Sequence, residues 1–503
     1  MSANDLLTLL APEIVLAAGA LAILVLGMIW RSERAYRPLV GVGIGVAVVA
    51  AAASLAIASG GALPEGMWAA DAFTHFFRVL GAGCAAVALV LALGRRQLGN
   101  EFPGLILLAT LGILLTAGGA NLVMIYVGVE LLSITSYILT GLLREEPRSN
   151  EAAIKYFFYG AAASAVMVYG FSLLFGLTGA VSLEGMATGL AGAGEGTRWL
   201  AVPAMVLMLV GLGFKVAAVP FHQWSPDVYE GAPTPVTAFL SVGPKAAGFA
   251  AMARIFLVAL PGLQGGWVVL LAVLSIATMT VGNLVALAQT HMKRLLAYSS
   301  IAQAGYMLIG LVALRARGGA TPPLPGAGTT PLLGGATPPL LGDGLVALLV
   351  YLVAYLLTNL GAFAVVQAVE DAEGTDALSA YAGLVRRAPL TAGAMVFFML
   401  SLVGIPPLAC FLGKLFIFSA AVQAELYVLA AIGVANSVIS LAYYFKVVRL
   451  MFFDRSEGEA APMKVAGSLR VALVVTWAGT LGLVLFATPL IDWASRSAQM
   501  LVH

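Results

Sequence analysis

The chain has 503 residues, of which 61% are hydrophobic and only 10% charged, and its mean hydropathy is +0.99. Soluble domains carry about 25% charged residues, so this composition excludes an ordinary water-soluble enzyme. The net charge of +2 provides no basic surface to neutralise a phosphate backbone, so we expect no nucleic-acid partner. The sequence therefore predicts an integral membrane protein that contacts the lipid bilayer.

The apolar stretches are each about 20 residues long and lack the alternating pattern of membrane β-strands, so they predict transmembrane helices. Fourteen such stretches occur, and the twelfth is long enough to be broken in its middle. In chain order they cover residues 9–30, 38–58, 72–93, 104–120, 122–143, 153–177, 199–219, 235–260, 266–288, 295–314, 345–369, 389–424, 427–450 and 467–490. The first residues are acidic where a secretory signal is basic, which favours retention of the first helix.

These helices predict an all-α polytopic fold with a single membrane domain over residues 1–503. We divide it into an N-terminal group of three helices (1–100), a first repeat (101–260), a second repeat (266–455) and a C-terminal helix (466–503). A Pro/Gly-rich stretch at 318–344 contains GGATPPL twice, so it predicts a flexible outer loop inside the second repeat. We interpret this loop as a tolerated insertion.

The distribution of Lys and Arg predicts the orientation of the chain. Basic residues cluster in alternate loops, whereas only Arg198, Arg315, Arg317 and Arg496 lie in the other loops or at the C-terminus. Cytoplasmic loops carry the basic excess. With fourteen spans, both termini are therefore predicted on the periplasmic side of a bacterial inner membrane.

Two of the predicted helices are interrupted by prolines. Helix seven runs into AVPFHQWSPDVYEGAPTPV, and helix twelve contains SLVGIPPLACFLGK. Proline removes a backbone donor, which at membrane depth is tolerated only beside protein or a hydrated cavity. Broken helices in corresponding halves indicate a transporter built from inverted repeats. Helices 4–8 and 9–13 as two five-helix repeats place the breaks equivalently.

Four ionisable residues lie deep inside the predicted helices. They are Glu130 in helix five, Lys215 before the first break, Lys245 in helix eight and Lys414 after the second break. A charge at mid-bilayer costs at least ~2.5–3.5 kcal/mol, so each requires a reason. One such lysine alone fits a structural ion pair, but three lysines and a glutamate together favour a proton path.

Four further charged residues, Glu13, Asp71, Arg78 and Arg254, lie nearer the ends of their helices. A charged side chain at a helix end can extend to the membrane–water interface without entering the hydrocarbon. We therefore interpret these four as interfacial residues that take no part in the path.

Lysine suits proton handling because burial in an apolar medium favours the neutral amine, whereas a nearby carboxylate or water favours the ammonium form. Glu130 would be the movable partner of Lys215, and the two would titrate as a coupled pair. His222 follows the first break and titrates near neutral pH. It has two interpretations, a relay between Lys215 and Lys245 or a hydrogen-bonded side chain that closes the broken helix.

Three segments resemble one known family. They are HQWSPDVYEGAPTPVTAFLSVGPKAAGFA (222–250), KRLLAYSSIAQAGY (293–306) and GIPPLACFLGKLFIF (404–418). Together they resemble the N subunits of bacterial respiratory complex I, NADH:quinone oxidoreductase, which are homologous to the antiporter-like L and M subunits. Two positions depart from the family pattern: Cys410 stands where glycine is common, and Gln303 where relatives often have histidine.

The resemblance implies fourteen helices, inverted repeats and a proton path at mid-membrane. Glu130 and Lys215 would form the switch, Lys245 the central relay and Lys414 the terminal relay toward the outer face. Because Gln303 cannot titrate, transfer between the last two would rely on bound water. The partners would be the other membrane and peripheral subunits of the complex, including the homologous antiporter-like subunits. FMN, iron–sulfur clusters and quinone would belong to other subunits, with no cofactor and no metal in this chain.

Three functions remain open from the residues. The first is a proton-translocating subunit of NADH:quinone oxidoreductase, which makes the chain part of an enzyme without its own redox centre. The second is a subunit of a multi-subunit cation/proton antiporter. The third is a scaffold that anchors neighbouring subunits and moves no protons. The segment VYEGAPTPV, which resembles the N subunits, favours the first.

Overall fold

The computed structural model describes residues 3–57, 61–62, 66–314, 343–454 and 462–502. Nearly all of these residues are helical. Most of the Pro/Gly-rich stretch, residues 318–342, lies outside the described residues. Its last two residues introduce a helix, because the Asp343 side chain accepts hydrogen bonds from the first backbone amides and Gly344 begins the helix.

Twenty α-helices follow one another along the described chain. The first ten are α1 (Ala3–Leu9), α2 (Ala11–Ile29), α3 (Tyr36–Ala56), α4 (Ala72–Ala92), α5 (Phe102–Gly118), α6 (Leu122–Thr140), α7 (Pro147–Thr178), α8 (Leu183–Gly192), α9 (Glu195–Val216) and α10 (Trp224–Gly231). The others are α11 (Thr234–Arg254), α12 (Gln264–Leu287), α13 (Met292–Val312), α14 (Gly344–Glu373), α15 (Leu384–Arg387), α16 (Pro389–Val403), α17 (Ala409–Gln423), α18 (Tyr427–Phe452), α19 (Gly467–Leu485) and α20 (Ala487–Val502). Strands β1 (Gly61–Ala62) and β2 (Ala69–Ala70) pair antiparallel before α4.

Twelve helical segments of the described chain are long and apolar enough to cross a membrane. Three shorter apolar helices, α5, α16 and α17, accompany them. The predicted multi-span membrane protein is thus confirmed as a class, while the count of fourteen stays a prediction. The last predicted helix, 467–490, is divided into α19 and α20, because Pro489 has no amide to bond the Leu485 carbonyl and its ring clashes with that carbonyl in a continuous helix.

The first predicted break separates α9 from α10. Helix α9 ends at Val216, and Ala217 adopts a left-handed conformation with φ +58°. Pro220 follows in a cis peptide bond, and helix resumes only at Trp224. The carbonyl of Val216, the last residue of α9, therefore lacks an amide partner further along the helix and is open to a side-chain donor.

The second break separates α16 from α17 in the same manner. Helix α16 ends at Val403, and Gly404 follows with φ +91°, a conformation that glycine adopts without steric cost. The cis Pro406–Pro407 bond precedes α17, which begins at Ala409. Two interrupted helices thus expose backbone acceptors inside the bundle.

Three helices form the centre of the molecule. In their most apolar segments, 89% of α11, 94% of α13 and 89% of α14 are buried, compared with 28% of α2 and α19. Because protein surrounds the central helices on nearly all sides, their polar side chains are shielded from lipid. The breaks and the central helices together create the interior in which buried charges can be accommodated.

Candidate functional site

Glu130 on α6 and Lys215 on the last turn of α9 line the same narrow cavity of about 10 Å³. Ser133 and Ser164 also line it, and the Ser164 hydroxyl donates to Glu130 Oε1. The charge of the carboxylate acts on the amine across this space. The structure therefore brings the predicted pair together around a cavity and holds the acid with a serine from α7.

Lys215 is only 2% exposed, and its Nζ has no hydrogen-bond partner among the described residues. A buried polar group without a partner is costly, and a buried charge even more so. The cavity of about 10 Å³ is close to the smallest space that holds one water molecule, which could supply the missing partner. This geometry is suited to a group whose protonation changes with its surroundings.

Lys245 lies in the middle of α11 and is 1% exposed. Its Nζ donates to the carbonyl oxygen of Val216 at 2.9 Å and to that of Ser300, on α13, at 3.1 Å. The first acceptor is available because α9 ends at Val216. Lys245 thus links the first broken helix to the central helix α13.

Lys414 occupies α17 just after the second break and is 4% exposed. Its Nζ donates to the carbonyl oxygens of Leu402 at 3.2 Å and Val403 at 2.8 Å. It also lies 4.5 Å from the centroid of the Tyr306 ring, where a cation is attracted by the π-electrons. Both central lysines are therefore held by carbonyls that a helix break leaves free.

A group of hydroxyls surrounds the Ser300 end of the Lys245 site. Tyr355 on α14 donates to Ser300 Oγ at 2.7 Å, and the Tyr229 hydroxyl lies 3.3 Å from the same atom. All three side chains are buried. Polar atoms of the side chain and backbone of Ser300 therefore connect Lys245 to hydroxyls on α10 and α14.

Gln303 lies one turn further along α13, between the two central lysines. Its Nε2 donates to Leu402 O at 3.0 Å and to the Tyr444 hydroxyl at 3.3 Å, and Tyr351 donates to its Oε1. Leu402 O is also an acceptor for Lys414. Polar side chains of α13, α14 and α18 therefore meet beside Lys414, at a position where the sequence predicts reliance on bound water.

His222 follows the first break and is partly exposed. Its Nδ1 is buried with no hydrogen-bond partner among the described residues. Its side chain makes no direct hydrogen bond to either Lys215 or Lys245. The relay interpretation thus stays a prediction, and a bridge to either lysine requires an intervening water.

The four charged residues interpreted as interfacial are mostly buried and form two ion pairs inside the protein, while their depth in the membrane stays a prediction. Arg78 is fully buried and makes two hydrogen bonds, of 2.8 and 2.6 Å, to the Glu13 carboxylate. Arg254 bonds both oxygens of Asp71 at 2.9 Å. Helix α4 packs against α3, α5 and α11, and this packing covers side chains in a way that distance from a helix end cannot predict.

Sequence reasoning missed Ser164, Tyr351 and Tyr444. Each is a polar residue in an apolar helix, and such residues are common wherever membrane helices pack together. Their partners become evident only in the fold, because the contacting residues are far apart in sequence. Among the described residues, no group of three His, Cys, Asp or Glu side chains could hold a metal ion, and Cys84 and Cys410 are buried free thiols.

The fold and the site define a multi-span membrane protein with ionisable groups at its centre. The family described as "NADH:quinone oxidoreductase/Mrp antiporter, TM" matches residues 119–320 and 341–440. These segments contain Glu130, Lys215, Lys245 and Lys414. The gap in the match falls within the Pro/Gly-rich stretch.

Among curated proteins, the chain is 43% identical to NADH-quinone oxidoreductase subunit N 2 of Symbiobacterium thermophilum, over 88% of this chain and 86% of that one. It is 38% identical to NADH-quinone oxidoreductase subunit N of Desulfitobacterium hafniense, over 99% of each chain.

Among solved structures, the chain matches one in respiratory complex I from Thermus thermophilus with 34% identity and a TM-score of 0.77, covering 96% of this chain and 98% of that one. A chain of the Mrp complex from Dietzia, 21% identical with a TM-score of 0.80 and covering 98% and 97%, shares the fold. The chain belongs to the NADH:quinone oxidoreductase/Mrp antiporter family, within its complex I N-subunit group.

Proposed function

We propose that this chain is a proton-translocating membrane subunit of an NADH:quinone oxidoreductase. Its path consists of Glu130, Lys215, Lys245 and Lys414, with His222 as an accessory relay. The observation that carries the proposal is the placement of three buried lysines at two helix breaks, two of them bound to carbonyls at those breaks. A scaffold subunit that moves no protons would not require buried lysines, whose charge is unfavourable inside a membrane.

The first step takes place at the cavity between Glu130 and Lys215. When the carboxylate is close, its negative charge stabilises the Lys215 ammonium. When the carboxylate moves away, the ammonium has no partner and its proton passes toward Lys245. In this step, the position of Glu130 determines whether the proton stays on Lys215 or moves on.

The next steps take place at the helix breaks. A lysine whose ammonium donates to two carbonyls loses one donor when it becomes a neutral amine, and the lone pair then accepts the next proton. The Val216 carbonyl belongs to a segment without regular helical bonds, so it can adjust to either state at little cost. Lys414 repeats this arrangement at the second break and is the last buried group before the proton leaves.

Several finer features accompany this function. The twelve long spans, α5, and the broken helix α16–α17 make fourteen crossings of a bacterial inner membrane, with both termini periplasmic. The spans from α5 to α11 and from α12 to α18 form two inverted repeats, which accounts for the two similar breaks. The remaining parts are an N-terminal group of three helices, residues 1–100, and a C-terminal region, residues 466–503.

The energy for proton movement comes from outside the chain. The relatives' names place them in a complex that oxidises NADH and reduces quinone. In this proposal, FMN, iron–sulfur clusters and quinone are bound by other subunits, and this chain receives the energy as a conformational or electrostatic change. Its membrane neighbours include homologous antiporter-like subunits.

The 43% identity to a subunit N supports this assignment over a separate cation/proton antiporter, for which the Mrp chain offers only a shared fold. The test is the Lys245→Met variant in the purified complex, reconstituted in liposomes. Met fills a similar volume but cannot carry a proton, so we expect proton pumping and coupled quinone reduction to fall roughly tenfold or more.

Lys446→Met is the matched control. Lys446 also donates to a backbone carbonyl, Gln289 O at 3.0 Å, but it lies outside the path. Pumping should stay normal in this variant. Full pumping by an assembled complex that carries Lys245→Met contradicts the proposal and favours a scaffold, whereas purification without flavin- and iron–sulfur-bearing subunits favours an antiporter.

A further inference from the structure

The orientation of the Gln303 amide is fixed by its surroundings. A backbone carbonyl only accepts hydrogen bonds, so the atom facing Leu402 O, 3.0 Å away, must be Nε2. The remaining hydrogen of Nε2 is donated to the Tyr444 hydroxyl at 3.3 Å. Oε1 therefore accepts from Tyr351. The amide is 1% exposed and uses both of its donors.

This orientation interrupts any proton path along the hydroxyls. The oxygen of Tyr444 accepts from Gln303, and it also shares a hydrogen bond with Ser299 Oγ, 2.5 Å away, in which either hydroxyl can be the donor. On the other side, Leu402 O accepts from both Gln303 and Lys414. A proton hop requires a group that accepts on one side and donates on the other, and the Gln303 nitrogen only donates.

We propose that the Gln303 amide is a barrier between the Lys245 side and the Lys414 side of the path, and that its rotation away from Leu402 is the step that opens the connection. This inference rests on the proposed function and adds a residue that controls it without carrying a proton. Gln303 is therefore a positioning residue: it sets whether water can join the two amines.

Proton transfer from Lys245 to Lys414 becomes possible when a water molecule takes the place of the Gln303 amide. The Lys245 ammonium releases one proton to the water and becomes a neutral amine, and the water releases a proton to the neutral amine of Lys414, which becomes an ammonium. No electrons move, and the water is regenerated. When the amide returns to Leu402 O, the proton cannot flow back, which is the property a pump requires at this position.

The test measures passive proton leak in the purified complex, reconstituted in liposomes, without NADH. A potassium diffusion potential drives protons and an internal pH dye reports them. Gln303→Ser shortens the side chain and leaves space for water, so leak should rise about tenfold, the factor that corresponds to about 1.4 kcal/mol, the scale of one hydrogen bond. Tyr351→Phe removes the donor to Oε1 without changing the shape, and should raise leak to a smaller extent.

Gln367→Ser is the matched control, because Gln367 is also a buried glutamine that donates to a backbone carbonyl, Leu91 O at 3.0 Å, but away from the path. Its leak should stay at the level of the unmodified complex. The double variant Gln303→Ser/Lys245→Met should lose the leak, because the path is then interrupted upstream of the barrier.

Three results would contradict the proposal that Gln303 is a barrier. The first is lower pumping without increased leak in Gln303→Ser, which would make the amide a required part of the path. The second is unchanged leak in both Gln303→Ser and Tyr351→Phe. The third is a leak that persists in the double variant and therefore bypasses Lys245. Failure of the proposed function is recognised separately, because it appears as full pumping by Lys245→Met alone.

Discussion

Lys245 and Lys414 are held in the same way: each donates to the carbonyl of the last residue of an interrupted helix, Val216 O at 2.9 Å and Val403 O at 2.8 Å. Both acceptors exist because the helix ends there, with Ala217 or Gly404 in a left-handed conformation. The two breaks are thus part of the lysine sites. A change in the backbone at either break must alter the binding of its amine.

Gly404→Ala should therefore impair the second lysine site. The φ of +91° is strained for alanine, and a Cβ at this position would lie 2.9 Å from Lys414 Cδ. We expect a cost of about 1–3 kcal/mol and displacement of the amine, which reduces proton pumping. Gly393→Ala on the same helix is the control, because its Cβ would meet nothing within 4 Å. If the two variants pump equally and are equally stable to heat, the backbone conformation at Gly404 is not needed to hold Lys414, which would contradict this prediction.

Glu130→Gln should lower turnover, because the amide keeps the size of the side chain but cannot hold Lys215 as an ammonium by charge. We expect NADH-driven proton pumping to fall roughly tenfold with the complex intact. Glu184→Gln, an exposed acid on α8, provides the comparison and should pump normally. An unchanged rate in Glu130→Gln would remove this residue from the switch.

Ser164→Ala tests how Glu130 is held. The serine hydroxyl donates to the carboxylate, so its removal frees the acid without removing its charge. We expect a partial loss of pumping, smaller than that of Glu130→Gln. Ser172, exposed on the same helix with its hydroxyl bound to Tyr169 O, is the control position. If Ser164→Ala lowers pumping no more than Ser172→Ala, the hydrogen bond has no part in positioning the acid.

Arg78→Met should destabilise the chain, because it leaves the Glu13 carboxylate buried without its partner. Breaking a buried ion pair costs about 3–5 kcal/mol, whereas replacing both partners is often close to neutral. The double variant Glu13→Gln/Arg78→Met should thus recover much of the lost stability, measured as the thermal unfolding of the purified complex. A double variant less stable than Arg78→Met would contradict this account of the pair.

Deletion of residues 321–340 should leave proton pumping unchanged. The family match stops at residue 320 and resumes at 341, so the segment is additional to the matched part of the chain. The measurement is pumping by the reconstituted complex after the deletion. A loss of pumping with normal assembly would assign the segment a function that its composition does not predict.

The membrane class and the positions of the four ionisable residues could be predicted from the sequence, because a charge within an apolar stretch is rare and costly. The acceptors of Lys245 and Lys414 could not, since backbone carbonyls carry no residue-specific signal and become available only through the fold. The pairing of Arg78 with Glu13 could not be predicted for a related reason: distance from a helix end does not reveal what covers a side chain. The division between α19 and α20 was missed although Pro489 marks it.

The most direct test of the central claim, a hydrated row of amines across the protein, is an electron-microscopy map of the assembled complex that resolves bound water. We predict ordered water in the Glu130–Lys215 cavity and between Lys215 and Lys245, within hydrogen-bond distance of both amines. Packed apolar side chains in these positions, or lysine amines that face lipid, would contradict the account.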